Sequence, residues 1–221
     1  MIYNFSYQKD ITDRKDVLDY LKSSKFKKVV DIGFYANGWS SEFTTHYIDA
    51  KKSDQAKQQG FIGNISTYKL WENVLDYINK NGKFDFSICT HTLEDVSCPQ
   101  MVCELLPRIS KEGYVAVPSK YRELTRHEGH TPHFGYVNNQ GGYMGWVHHR
   151  WVFNKEGDDF VGYPKMPLLE YLDFSSFESR SENDLRFFWK DDFELKVIND
   201  DWLGPTDQYV REIYRTSLFN D

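Results

Sequence analysis

Cysteine is scarce in this chain. Cys89, Cys98 and Cys103 are the full set, odd in number and without a C-x-x-C pair. They read as reduced thiols of a cytoplasmic protein rather than as a disulfide framework. Long apolar runs are missing as well. None approaches membrane-spanning length, so no membrane insertion is expected. The opening MIYNFSYQKD lacks the apolar core of a signal peptide. An excess of basic charge is also absent. Lys and Arg number 27 against 33 Asp and Glu, a net charge of −6, which leaves no electrostatic footprint for duplex nucleic acid. There is no internal repeat, no low-complexity linker and no complete G-x-G-x-x-G.

The composition that remains, 40% hydrophobic and 27% charged with 17% aromatic residues, is that of a soluble globular protein. Its 221 residues fit a single domain, 1–221, with an elaborated insertion or cap at about 120–190.

Val29–Asp49 organises the reading. Val29-Val30-Asp31-Ile32-Gly33 is a short apolar run ending in a carboxylate and a glycine, the pattern of a buried strand meeting a sharp loop. Asn37-Gly38 marks the loop. Thr45–Asp49 is a second strand closed by a second acid, 18 positions after Asp31. Strand, Gly-bearing loop, strand and acid is how an α/β fold holds a nucleoside. Backbone N–H groups approach the ligand, and the second acid accepts from the ribose hydroxyls. Only ten residues separate Gly38 from Asp49, too few for an ordinary crossover helix. A short or irregular connection is expected there.

Before this stretch, residues 13–23 read as a helix with Asp13 as N-cap. After it, 51–60 is polar, and Phe61–Ile65 is a third short strand. Asn64 at its end is either an adenine-edge contact or a turn asparagine. Tyr68–Asn79 carries one apolar face and is stopped by Gly82. Phe84–Cys89 is a buried strand running into Thr90–Asp95. Helix Gln100–Ile109 and strand Tyr114–Ser119 complete the alternation. The product is an open, mostly parallel α/β sheet whose ligands sit at the carboxyl ends of the strands. Asp31, Gly33, Asp49, Asn64, His91 and Ser119 fall at those ends.

Residues 120–165 break the pattern. Tyr121–Asn139 is rich in His, Gly and polar residues. His127, His130 and His133 are spaced three apart, but spacing in such a loop fixes no geometry, and no metal is expected. Trp146–Phe153 reads as a strand, with His148 and Arg150 on one face and His149 among apolar neighbours on the other. Phe160–Tyr163 returns, making a hairpin expected over the active-site edge of the sheet. Leu168–Phe174 and Leu185–Trp189 read as short helices. Phe193–Asn199 and Tyr209–Leu218 read as antiparallel edge strands. The acid pairs Asp158-Asp159, Asp191-Asp192 and Asp200-Asp201 read as turn carboxylates.

VVDIG, YIDA, FDFSICTHTLEDV and LPRISKEGYVAVPS together resemble the class I S-adenosylmethionine-dependent methyltransferases, nearest the type-11 group found with glycan biosynthesis, and His148-His149-Arg150-Trp151 followed by Tyr163-Pro164-Lys165 resembles the C-terminal part of that group. The resemblance spans roughly 29–165 and is strongest at 84–119. It implies a Rossmann-like sheet and S-adenosylmethionine as cofactor. It places the methionine moiety on the loop Asp31, Gly33, Phe34, Asn37 and Gly38, the ribose on Asp49 and the adenine on Asn64. Thr90 and His91 line the pocket. Transfer to a sugar hydroxyl needs a base. His148 and His91 are the first candidates, then Glu123, with Arg150 to tune His148 or bind a ligand oxygen. The acceptor is a small molecule or oligosaccharide. Glu94 and Asp95 are read as caps for the helix that follows. Two other readings stay open: a nucleotide-sugar glycosyltransferase using an Asp pair on a metal, and a non-catalytic methyltransferase-like binding module.

Overall fold

The structure is a computed structural model and describes residues 14–126, 143–180 and 184–198. These fall into two compact units, one within Met1–Val117 and Arg186–Leu195, the other within Pro118–Leu185 and Lys196–Asp221. The break at Pro118 lies where the sequence leaves its strand–helix alternation. Asp13, the histidines at 127, 130 and 133, the pair Asp200-Asp201 and the strand read at 209–218 lie outside the described residues.

The first unit is a doubly wound α/β layer. Helix α1 (Arg14–Ser23) precedes β1 (Val29–Ile32), β2 (His46–Asp49) and β3 (Gln59–Ile62). Then come α2 (Tyr68–Asn81), β4 (Phe84–Thr90), α3 (Pro99–Ile109) and β5 (Ser110–Pro118). β8 (Asp184–Lys190) closes the sheet, whose order is β3-β2-β1-β4-β5-β8. The pairings from β3 through β5 are parallel, and β8 is the antiparallel edge strand. The Rossmann-like reading is thus the observed fold.

Local chemistry explains these elements. α2 buries Leu70, Trp71, Val74 and Ile78, one apolar stripe at helical spacing. It stops at Gly82, whose φ of 74° lets its N–H return to Ile78 O at 2.7 Å. α3 starts on Pro99, where a missing N–H costs nothing. β1 and β4 are buried along nearly their whole length, as strands covered on both faces must be. On one face Val17 and Leu21 of α1 pack with Val29, Phe86, Ile88 and Tyr114. The link from β1 to β2 is a series of turns with no helix, as the ten-residue spacing requires.

Two expectations are corrected at the sheet's edge. Leu185–Trp189 is not a helix but lies within β8, with Phe187 and Trp189 buried at period two. Of the Phe193–Asn199 segment, the described residues 193–198 do not provide the edge strand. Only Lys196–Val197 is strand, β9, and it pairs in parallel with β7 of the second unit.

The second unit holds α4 (Lys120–Glu123), β6 (Trp151–Glu156) and β7 (Asp159–Pro164). β6 and β7 form the expected antiparallel hairpin, turning at Gly157 with φ 60°. Its first strand begins five residues later than read from sequence. His148, His149 and Arg150 precede the strand, and His148 sits in a turn. The short helix read at Leu168–Phe174 is present as a 3-10 helix, Pro167–Tyr171. Leu124, Met144, Val152, Val161, Tyr163, Leu169, Phe174 and Phe177 form this unit's core. Among the described residues, no helix is long and apolar enough to cross a membrane.

Candidate functional site

The strand order reverses between β1 and β4, and a crevice opens outside the carboxyl ends of strands at such a point. The register brings those ends level. Ile32 pairs with Ile48 on one side and Cys89 on the other, and Asp49 pairs with Ile62. Asp31, Gly33, Asp49 and Thr90 therefore converge on one edge of the first unit.

Asp31 is buried, and Ser40 Oγ donates to its Oδ2 at 2.5 Å. Burial is the largest influence on this carboxyl and pushes it up to about 7. The Ser40 hydrogen bond pulls it down, and the charge of Asp49 adds to the rise. Gly33 turns with φ 77° and its N–H donates to Ile48 O at 2.9 Å. Thr92 fills the space above it, its Oγ1 donating to Ile32 O at 3.0 Å. No side chain fits between them, so this glycine serves close approach.

Phe34 is buried and stacks on Tyr47 at 5.0 Å. Tyr35, at the position of a missing glycine, is 70% exposed and points away from the interior. Gly38 N–H closes a turn on Tyr35 O at 2.8 Å. Asn37 does not take the left-handed conformation, for the described non-glycine residues with positive φ are His91 and Asp191. Its amide donates instead to Gln55 Oε1 at 2.8 Å. Asp49 stands half-exposed at the end of β2, accepting Lys51 N–H at 3.0 Å. Asn64 is exposed and accepts Ser66 N–H at 2.9 Å, which is the turn asparagine of the two sequence readings.

The segment after β4 holds the largest departure from expectation. His91 has φ 51°, and its N–H donates to Ala116 O at 2.9 Å. Leu93–Asp95 form a turn, and α3 begins only at Pro99 with Cys98 as its N-cap. Glu94 therefore does not cap the helix. It is fully buried, and neither carboxylate oxygen has a hydrogen-bond partner among the described residues. His91 Nδ1 lies 3.3 Å from Glu94 Oε1. That is ion-pair range, but off the line a hydrogen bond needs. Cys89 and Cys103 are buried, and burial pushes both thiols well up; for Cys89 the charges of Glu94 and Asp31 add to it. Neither thiol is a nucleophile at neutral pH.

The second unit has its own polar cluster. Glu123, 1% exposed, accepts from His149 Nδ1 at 2.7 Å, from Lys165 Nζ, and from Trp146 N–H at 3.4 Å. Lys165 Nζ also donates to Met144 O at 2.7 Å and Trp146 O at 2.8 Å. His149 stacks under Trp146 at 5.0 Å and meets His148 edge-on at 4.6 Å. His148 and Arg150 are exposed. Of the base candidates, Glu123 is thus committed to holding His149 and Lys165, while His148 stands at the surface. His149 is the satisfied interior histidine that its apolar neighbours imply.

Sequence reading missed Ser40, Glu94 and Lys165. Ser40 carries no local signal, and Lys165 stands in the Tyr163-Pro164-Lys165 run of the resemblance, which assigns it no role. Glu94 has a local signal, since it lies between Leu93 and Val96, both buried. No protein-family model matches this chain, and no curated protein is similar to it in sequence.

Proposed function

We propose that this chain is an S-adenosylmethionine-dependent O-methyltransferase of the cytoplasm, acting on a hydroxyl of a small sugar or oligosaccharide. One observation carries the donor half. At the reversal point of a parallel sheet, Asp31 and Asp49 close neighbouring strands around Gly33, with Tyr35 turned out to solvent instead of into the space between them. Such an edge suits an adenosyl group. The half-exposed Asp49 offers an acceptor for ribose hydroxyls, and Gly33, packed on Thr92, ends β1 sharply beside it. When bound, the cofactor supplies an electrophilic methyl carbon. The protein's part is then to align the acceptor and take its proton. The sugar acceptor rests on the resemblance at 29–165 and on the aromatic content; the compartment rests on the three unbridged cysteines.

The test is calorimetric titration of the full chain with S-adenosylhomocysteine, beside a nucleotide sugar with manganese. Saturable binding of the first alone is expected. Binding of the nucleotide sugar alone would hand the function to glycosyl transfer, and binding of neither to a non-catalytic module.

A further inference from the structure

The buried carboxylate of Glu94 has no part in the donor site as described, and burying a charged or polar group without donors is unfavourable. A fold retains such a group when something meets it during function. The titratable partner that faces it is His91, 3.3 Å away through Nδ1. His91 is held in the left-handed conformation by its own N–H bond to Ala116 of β5. A histidine at φ 51° carries backbone strain, and strain concentrates where a side chain must be aimed. The imidazole is about one-third exposed (36%) while the carboxylate behind it is sealed at 1%. One ring nitrogen thus faces a buried anion, and the ring still reaches the carboxyl edge of the sheet.

We propose that His91 and Glu94 form a proton-accepting dyad, with His91 taking the acceptor's hydroxyl proton and Glu94 as the positioning residue that raises its proton affinity. This rests on the methyltransferase reading. In the step, the acceptor oxygen bonds to the methyl carbon as the S–CH3 bond breaks, its electron pair staying on sulfur. The hydroxyl proton passes to His91 Nε2. The imidazolium then carries N–H on both nitrogens, and a small rotation brings Nδ1–H into line with Glu94, giving that carboxylate the donor it lacks at rest. S-adenosylhomocysteine and the methyl ether leave, and His91 returns its proton to water.

The other titratable groups bearing on the pair are Asp95 on the same turn, Asp31 at the end of β1 and Cys89 on β4, whose thiol Glu94 and Asp31 both influence. The experiment therefore removes only the charge of Glu94. The native chain and Glu94→Gln, labelled with 13C-histidine, are titrated by NMR, with the His91 signal assigned through His91→Gln. The midpoint of His91 is expected to fall by about one pH unit in Glu94→Gln, while S-adenosylhomocysteine affinity stays within twofold. An unchanged midpoint overturns the dyad. If Glu94→Gln fails to fold, the native chain labelled with 13C-glutamate decides the matter through its Glu94 carboxyl signal, identified as the one absent from a Glu94→Asp chain. That signal should step at the His91 midpoint, and a flat trace there overturns the dyad equally. Loss of the donor reading looks different: the native chain would not bind S-adenosylhomocysteine at all, whatever His91 does.

Discussion

Gly33 and Thr92 are so close that a methyl group on Gly33 would lie 2.1 Å from Thr92 Oγ1. The contact locks the end of β1 to the turn after β4, and its two causes can be separated. Gly33→Ala meets both the positive φ of 77° and the threonine. The conformation alone costs about 1–2 kcal/mol for a residue with a Cβ. In urea titrations Gly33→Ala is expected to lose more than that. Adding Thr92→Ala should recover the excess and leave the conformational part, a non-additivity that a double-mutant cycle reads directly. Simple additivity of the two changes would show that the two residues are not in contact.

Asp31 makes stability depend on pH in an unusual direction for a carboxylate. Its value in the folded protein, about 7, stands above the ordinary 3.8. The folded state therefore holds the proton more tightly than the unfolded chain. The stabilising contribution is complete below the unfolded value and is lost as pH rises through the folded one. Asp31→Asn stays neutral and keeps an oxygen for Ser40. Denaturation midpoints of the two proteins should agree near pH 4 and separate in favour of the variant up to about 7, then run parallel. Curves that stay parallel throughout would mean that Asp31 titrates alike in the folded and unfolded chains, and that burial does not raise its value.

Asp49 tests the donor site without touching the core, because it is half-exposed and its carboxylate accepts from the neighbouring Lys51 N–H. Asp49→Ala should weaken S-adenosylhomocysteine binding at least about tenfold, or about 1.4 kcal/mol, with little change in the melting temperature. Equal affinity in calorimetry would remove the ribose role.

The sheet was legible because its signals are local. Val29–Ile32 and Phe84–Cys89 announce themselves as apolar runs ending in turn residues, and Tyr68–Asn81 by a four-residue stripe before Gly82. The failures share a different cause. Phe187 and Trp189 bury alternate positions of an edge strand, and Phe and Trp favour strands, yet the segment is too short for its period to be distinguished from a helix turn. Alternation of Trp, Val and His puts His148–Arg150 on a strand by sequence. The structure instead holds His149 on Glu123, 26 positions earlier, a partner that no local window contains. Nearness to a helix makes Glu94 look like a cap in the sequence. Its burial depends on how β1, β4 and the turn meet, which no window of sequence contains.

That dependence makes Glu123 the strongest test of the second unit. Its carboxylate holds Lys165 Nζ and His149 Nδ1, whose side chains are 6% and 7% exposed. Gly145, at φ 55°, presses so closely that a Cβ there would meet Glu123 Oε1 at 2.5 Å. Removing the anion alone leaves a buried ammonium answered by the Met144 and Trp146 carbonyls and the Tyr143 ring, none of them charged. Breaking one side of a buried pair costs about 3–5 kcal/mol, whereas replacing the pair by apolar groups of similar size is far milder. Glu123→Leu should therefore lower the urea midpoint sharply, and Lys165→Met added to it should restore much of the loss. Glu123→Gln should fall between, since it keeps an acceptor but no charge. If Glu123→Leu melts with the native chain, the cluster does not order residues 143–149, and the displacement of His148 from the strand needs another cause.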